Sequence, residues 1–184
     1  MVVIGITGTA GSGQGTVAQY LVDKYGFEHF SVRDFLIEEI KKRGMEINRD
    51  SMIIVADDFR KNYGSGYLLE QMYKKAEKVN RNCVLESVRA IGEVEALRKK
   101  KNFILWGIDA PIDIRYERIK RRNNSSDMVS FEKFRDQEKR ETLSGEKYRG
   151  SINECVKMAD VVFKNTRSIE DLKKMVDQEI RSLL

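Results

Sequence analysis

Hydrophobic positions fall into short apolar runs separated by amphipathic stretches of helical period. Val2–Gly8 (VVIGITG) is apolar almost throughout and bounded by glycine, the pattern of a strand covered on both faces. His29–Val32, Cys83–Val88 (CVLESV), Phe103–Ile108 (FILWGI) and Asp160–Asn165 (DVVFKN) predict four more strands. Gly13–Tyr25 sets Val17, Leu21 and Val22 on one side of a helix, with Gly26 as its stop. Arg33–Arg43 does the same with Phe35, Leu36 and Ile40, and Gly44 ends it. Residues 50–80 predict two helices parted near Gly64-Ser65-Gly66. Another helix opens near Pro111, where a proline in the first turn loses no helical hydrogen bond. The polar stretch Asn123–Asp127 predicts a flexible loop. Helices near 131–142 and 151–158 lead to the fifth strand, and Ser168 caps a closing amphipathic helix to Leu184. Strands alternating with helices predict an α/β domain over 1–184, with a mostly parallel sheet covered on both faces.

Composition narrows the setting. No run approaches the ~18 apolar residues of a membrane span, and the N-terminus reads as a first strand rather than a signal peptide. Cys83 and Cys155 have no metal-ligand spacing and read as reduced, buried thiols, which points to the cytoplasm. The net charge is +5. No nucleic-acid-binding motif accompanies it and aromatics are not interleaved with the basic residues, so the charge suits a cleft holding several phosphates.

The chemistry is concentrated in Gly8-Thr-Ala-Gly11-Ser12-Gly13-Gln14-Gly15-Thr16. Glycines at these spacings, between a strand and a helix, let successive N–H groups converge on phosphate oxygens. The positive end of the following helix adds to that field. Gly8, Gly11, Ser12, Gly13, Gly15 and Thr16 are therefore the expected ATP-binding residues, with the Thr16 hydroxyl toward Mg²⁺. Gln14 stands where a phosphate loop usually has lysine. An amide donates hydrogen bonds there but cannot neutralise charge, so either another cation compensates or the chain binds nucleotide with little turnover. A dehydrogenase fingerprint fits less well: the third glycine of a dinucleotide loop would fall at Thr16.

Arg115, Arg118 and Arg122 recur at i, i+3 and i+7 and form a basic stripe leading into the polar loop. Arg135 and Arg140 follow it. Such a stripe is either a solvated face or the flank of a phosphate-covering lid, and the loop between the arginines favours the lid. Glu86, near the end of the third strand, is placed to hold a Mg²⁺-bound water, and Arg89 to grip an acceptor phosphate. Asp34 either orients the acceptor or caps a helix. Arg33, Arg60 and Arg98 each reach an acceptor phosphate or lie exposed. His29 is expected at the surface and Trp106 in packing.

With these segments in hand, the chain resembles the nucleoside-monophosphate kinase group of P-loop kinases, especially its adenylate-kinase-related and dephospho-coenzyme-A-kinase-like members. Gly8–Thr16 is similar to G-x-P-G-S-G-K-G-T, with Ala10 for proline and Gln14 for lysine. Ser31–Leu36 is similar to S-T-G-D-x-L, with Ile37 where an arginine normally follows; Glu86–Arg89 resembles D-G-x-R, with glutamate and serine substituted. Arg118 and Arg122 match the R-x-x-x-R before the lid, and Asp127 and Arg135 its flank. Ala159–Asn165 resembles the dephospho-coenzyme-A kinase ending, whose turn lies against adenine, with Arg167 where glycine is usual. The resemblance implies a three-layer P-loop NTPase fold with a five-stranded parallel sheet in order 2-3-1-4-5. It also implies Mg-ATP, an acceptor-binding insert near 33–82, a lid near 123–135 and a nucleotide-like small-molecule acceptor.

Overall fold

The computed structural model describes residues 1–122, 129–142 and 151–184. Its sheet holds β1 (Val3–Gly8), β2 (Glu28–Ser31), β3 (Cys83–Val88), β4 (Phe103–Asp109) and β5 (Val161–Lys164). All neighbours pair in parallel and the order is β2-β3-β1-β4-β5, as expected. Side chains alternate across the central strands and so build two cores. On one face Val3, Cys83, Leu85 and Leu105 pack against α2 (Val32–Lys42), α3 (Arg49–Tyr63), α4 (Tyr67–Val79), α5 (Ile91–Arg98) and α8 (Ile152–Lys157). On the other, Ile4, Ile6, Val84, Trp106 and Ile108 pack against α1 (Gln14–Tyr25) and α9 (Ile169–Ile180). The remaining helices are α6 (Ile112–Arg121) and α7 (Phe131–Thr142). Trp106 is fully buried edge-on to Phe163, a packing residue.

Element ends lie within a residue or two of the sequence pattern, except that α9 ends at Ile180 instead of Leu184 and α5 has no counterpart there. Its Gly92 lowers helix propensity, and the structure shows why a side chain is missing. A Cβ at Gly92 would sit 1.9 Å from the Ser65 Oγ, in the turn between α3 and α4. Close packing overrides the local preference. Of the expected lid, residues 123–128, with Asp127, lie outside the described residues; Val129, Ser130 and the start of α7 lie within them.

Buried Glu93, on the first turn of α5, ties α3 to the end of β3. Its Oε1 accepts from Arg60 Nε at 3.1 Å and Nη2 at 2.9 Å, and its Oε2 accepts from the N–H groups of Arg89 and Ala90 at 2.8 and 3.0 Å. Both cysteines are free and buried, and burial pushes the Cys83 thiol up to about 11 and Cys155 to about 12. Among the described residues, no helix is long and apolar enough to cross a membrane.

Candidate functional site

The strand-to-helix turn after β1 takes the shape its glycines predict. Gly11 and Gly13 have φ of 80° and 114°, in the range that favours glycine. A Cβ at Gly11 would lie 2.6 Å from the Arg115 carbonyl oxygen, and one at Gly13 would lie 2.5 Å from Asn165 Nδ2. The loop is therefore wedged between α6 and the end of β5. Gly13 supplies no side-chain cap, so the first N–H groups of α1 are left for an outside acceptor. The Ser12 Oγ is buried without a partner. A glycine cradle and an uncapped helix start fit the oxygens of a phosphate chain.

Gln14 leans back onto its own loop. Its Nε2 donates to the Gly8 carbonyl oxygen at 2.6 Å, while its Oε1 is buried with no partner. The amide closes the loop on itself and supplies no charge.

The loop opens on a cavity of about 670 Å³. Of the expected site residues, Gly11, Gly13, Gln14, Gly15, Arg60, Glu86, Arg89 and Arg122 line it. Gly15, Thr16 and Arg122 line a second, adjoining cavity toward α9. Gly8, Ser12, Arg118 and Asn165 stand behind the loop rather than on the cavity wall. Asn165 Nδ2 donates to the Ser12 carbonyl at 2.7 Å, and Arg118 Nη2 donates to the Asn165 O and Oδ1 at 3.1 and 3.2 Å. Burial and the nearby Arg122 lower the Arg118 pKa from its ordinary value. Asp34 and Arg135 are exposed and line neither cavity, and the Asp34 N–H is capped by Ser31.

The alternatives for three arginines now separate. Arg98 is exposed and lines neither cavity, Arg33 is exposed but lines the first, and Arg60 is buried and engaged by Glu93 and Asp57. The cavity is also lined by Leu36 from α2 and Met52, Ile53 and Ile54 from α3.

Two residues have more connected positions than their sequence pattern suggests. Arg115 is buried, donating to the Ala110 carbonyl at 2.7 Å, to the Ala10 carbonyl at 3.3 Å and to both oxygens of Glu138 on α7. It joins the phosphate loop to the helix that follows the expected lid. The stripe at i, i+3 and i+7 contains Arg115 but says nothing of Glu138, which is remote in sequence. His29 is indeed exposed, but its Nε2 lies 2.9 Å from Glu86 Oε2. That hydrogen bond raises the His29 pKa above its ordinary value. Only strand register, with Ser31 opposite Glu86, brings the two together.

Glu86 and Thr16 are the expected metal-side residues. No group of three or more His, Cys, Asp or Glu suited to a metal occurs among the described residues. A hydroxyl and one carboxylate on either side of Gly15 fit Mg²⁺ held largely by waters and phosphate oxygens, and not an all-protein cage.

Comparison with known proteins bears on this arrangement. A family model described as an AAA domain matches residues 7–135. The UPF0200 protein of Methanosarcina mazei is 30% identical over 100% of this chain and 96% of its own length. The chain belongs to the UPF0200 family. A UPF0200 protein of Pyrococcus abyssi is 31% identical, covering 99% of this chain and 97% of that protein. The UPF0200/UPF0201 protein of Archaeoglobus fulgidus is longer, and this chain spans 56% of it at 29% identity. Among solved structures, a shikimate kinase from Acinetobacter baumannii matches with a TM-score of 0.61 at 15% identity, covering 99% of this chain and 94% of that one. A gluconokinase from Sinorhizobium meliloti matches at 0.59 and 13%, covering 99% and 93%. At such identities the likeness is one of fold. This UPF0200 member has a P-loop kinase-like fold.

Proposed function

We propose that this UPF0200 protein is an ATP-dependent phosphotransferase acting on a nucleotide-like small molecule, of the nucleoside-monophosphate or dephospho-coenzyme-A type. The observation that carries the reading is the glycine cradle at an uncapped helix start, opening on a cavity that also holds Glu86, Arg89 and Arg122. Bound Mg-ATP would supply the phosphoryl group and the metal charge. The backbone from Gly11 to Thr16, including the Ser12 N–H, would hold the phosphates, with Thr16 adding a hydroxyl. Asn165 and Arg118 would keep the loop in shape from behind, and Arg122 and Arg135 would bring charge to the transferring group as residues 123–135 close over it. Arg89 after β3 and Asp34 in an insert spanning about 33–82 would place the acceptor, with Arg60 of that insert stiffening the wall from α3. Glu86 would face the metal's water shell. The whole would act as one domain in the cytoplasm.

A second reading has its own observation. Gln14 spends its amide on Gly8 and offers no charge, which suits a module that binds nucleotide without useful turnover. ATP affinity and ATP-dependent product formation, measured with nucleoside monophosphates and dephospho-coenzyme A, separate the two. The kinase reading expects product from the wild type, and comparable turnover from Gln14→Lys. Tight ATP binding with product appearing only in Gln14→Lys would favour the module.

A further inference from the structure

We infer that Arg122 stands in for the missing phosphate-loop lysine, with Gln14 as the acceptor on which its guanidinium docks. The inference rests on the nucleotide-binding part of the reading above, not on turnover.

A lysine at position 14 would set a full charge beside the β- and γ-phosphates. Gln14 cannot, so the cavity needs a cation from elsewhere. Most of its other basic residues are already engaged. Arg60 is held by Glu93, and Arg49 donates to Gln137 Oε1 at 3.2 Å. Arg89 and Lys139 also have partners. The Arg33 guanidinium lies 3.4 Å from Met52 Sδ. Arg122 differs: its backbone N–H caps α6, but among the described residues its side chain has no hydrogen-bond or ion-pair partner, and its charge repels that of Arg118. It is also, with Gly15, one of two residues common to both cavities. Arg122 is exposed and borders both cavities together with Gly15, in the first turn of α1, where a phosphate chain would approach.

Gln14 adds the second, independent observation. Its Nε2 is committed to Gly8, but its Oε1 is buried in the same cavity wall with no donor. A buried acceptor without a partner is costly. Arg122 carries five donors in a planar fork and can satisfy the Gln14 Oε1 while still facing a phosphate. A lysine at 14 would accept nothing from it. Glutamine at 14 and arginine at 122 thus form a pair in which the charge has moved from the loop to the C-terminal end of α6.

Calorimetric titration of ATP and of inorganic tripolyphosphate into the wild type, Arg122→Ala, Gln14→Lys and the double variant tests this directly. Arg122→Ala should weaken both ligands about 10- to 100-fold, the range of one or two charge-assisted hydrogen bonds. The same substitution in the Gln14→Lys background should weaken them less than about 3-fold, because the loop again carries its own cation. Arg122→Lys should keep most of the affinity and serves where Gln14→Lys disturbs the loop. Equal losses in the two backgrounds, or no loss from Arg122→Ala, would overturn the pairing. Binding is read without turnover, so an inactive but ATP-binding wild type would remove the kinase reading and leave the pairing standing.

Discussion

Removing the Glu93 carboxylate should unfold this protein far more readily than its exterior substitutions do. Glu93 is 0% exposed and Arg60 3% exposed, so Glu93→Ala leaves a buried guanidinium with only the longer contact to Asp57, and two backbone N–H groups without their acceptor. Breaking a buried pair from one side costs about 3–5 kcal/mol. For a chain of this size each kcal/mol moves Tm by about 2–4 °C, so a cost near 4 lowers Tm by about 8–16 °C. In urea, with a slope of about 2 kcal/mol/M, the midpoint should fall by about 2 M. The double variant Arg60→Met/Glu93→Met is the control. It removes both charges and fills the buried space they occupied with apolar side chains, so it should lose half as much or less. Equilibrium urea unfolding of the three proteins gives the comparison. A loss below about 1 kcal/mol for Glu93→Ala, the typical net worth of a single hydrogen bond, would refute the view that this ion pair fastens α3 to β3. A double variant less stable than the single would refute it equally.

Two other outcomes follow from local geometry. Ser87 holds φ at 76° in β3, where the register slips between Ile6 and Thr7. Ser87→Gly removes the left-handed penalty of about 1–2 kcal/mol and gives back part of it as unfolded-chain entropy, so stability should rise by ~0.5–1 kcal/mol, read by thermal melting. A fall of similar size would show that the serine side chain is needed. Asp177 accepts hydrogen bonds from Lys24, Tyr25 and Tyr20, and chiefly the Lys24 ammonium holds its carboxyl down to about 2. A depressed carboxyl pKa stabilises the fold above its ordinary value of 3.8, an advantage lost as pH falls toward about 2. The stability gap between wild type and Asp177→Asn should therefore be constant from neutral pH to about 4.5 and close below it. A gap that closes between pH 6 and 8 would assign it to another group.

The same local logic explains what could be read from the chain and what could not. Elements whose side chains report their own surroundings were legible. The bounds of β3 follow from Cys83–Val88 being an apolar run, and the turn after β1 from its glycines. The Ser87 conformation is the counterpart of a position where the resembling kinases carry glycine. The α5 helix was not legible, because Gly92 reflects the approach of Ser65 from a turn far away in the sequence.

By itself, the amino-acid order determined the alternation of strands and helices, the parallel sheet, and the glycine loop made for phosphate. These rest on periodicity and on backbone conformations that depend on near neighbours. Only the tertiary structure decided which charges are available. It placed Arg60 in a buried pair with Glu93, Arg115 between the loop and α7, Arg118 behind the loop on Asn165, and His29 on Glu86. Those partners lie from 23 to 105 residues away along the chain. A charged side chain finds its counter-ion through space, and no local pattern records that choice.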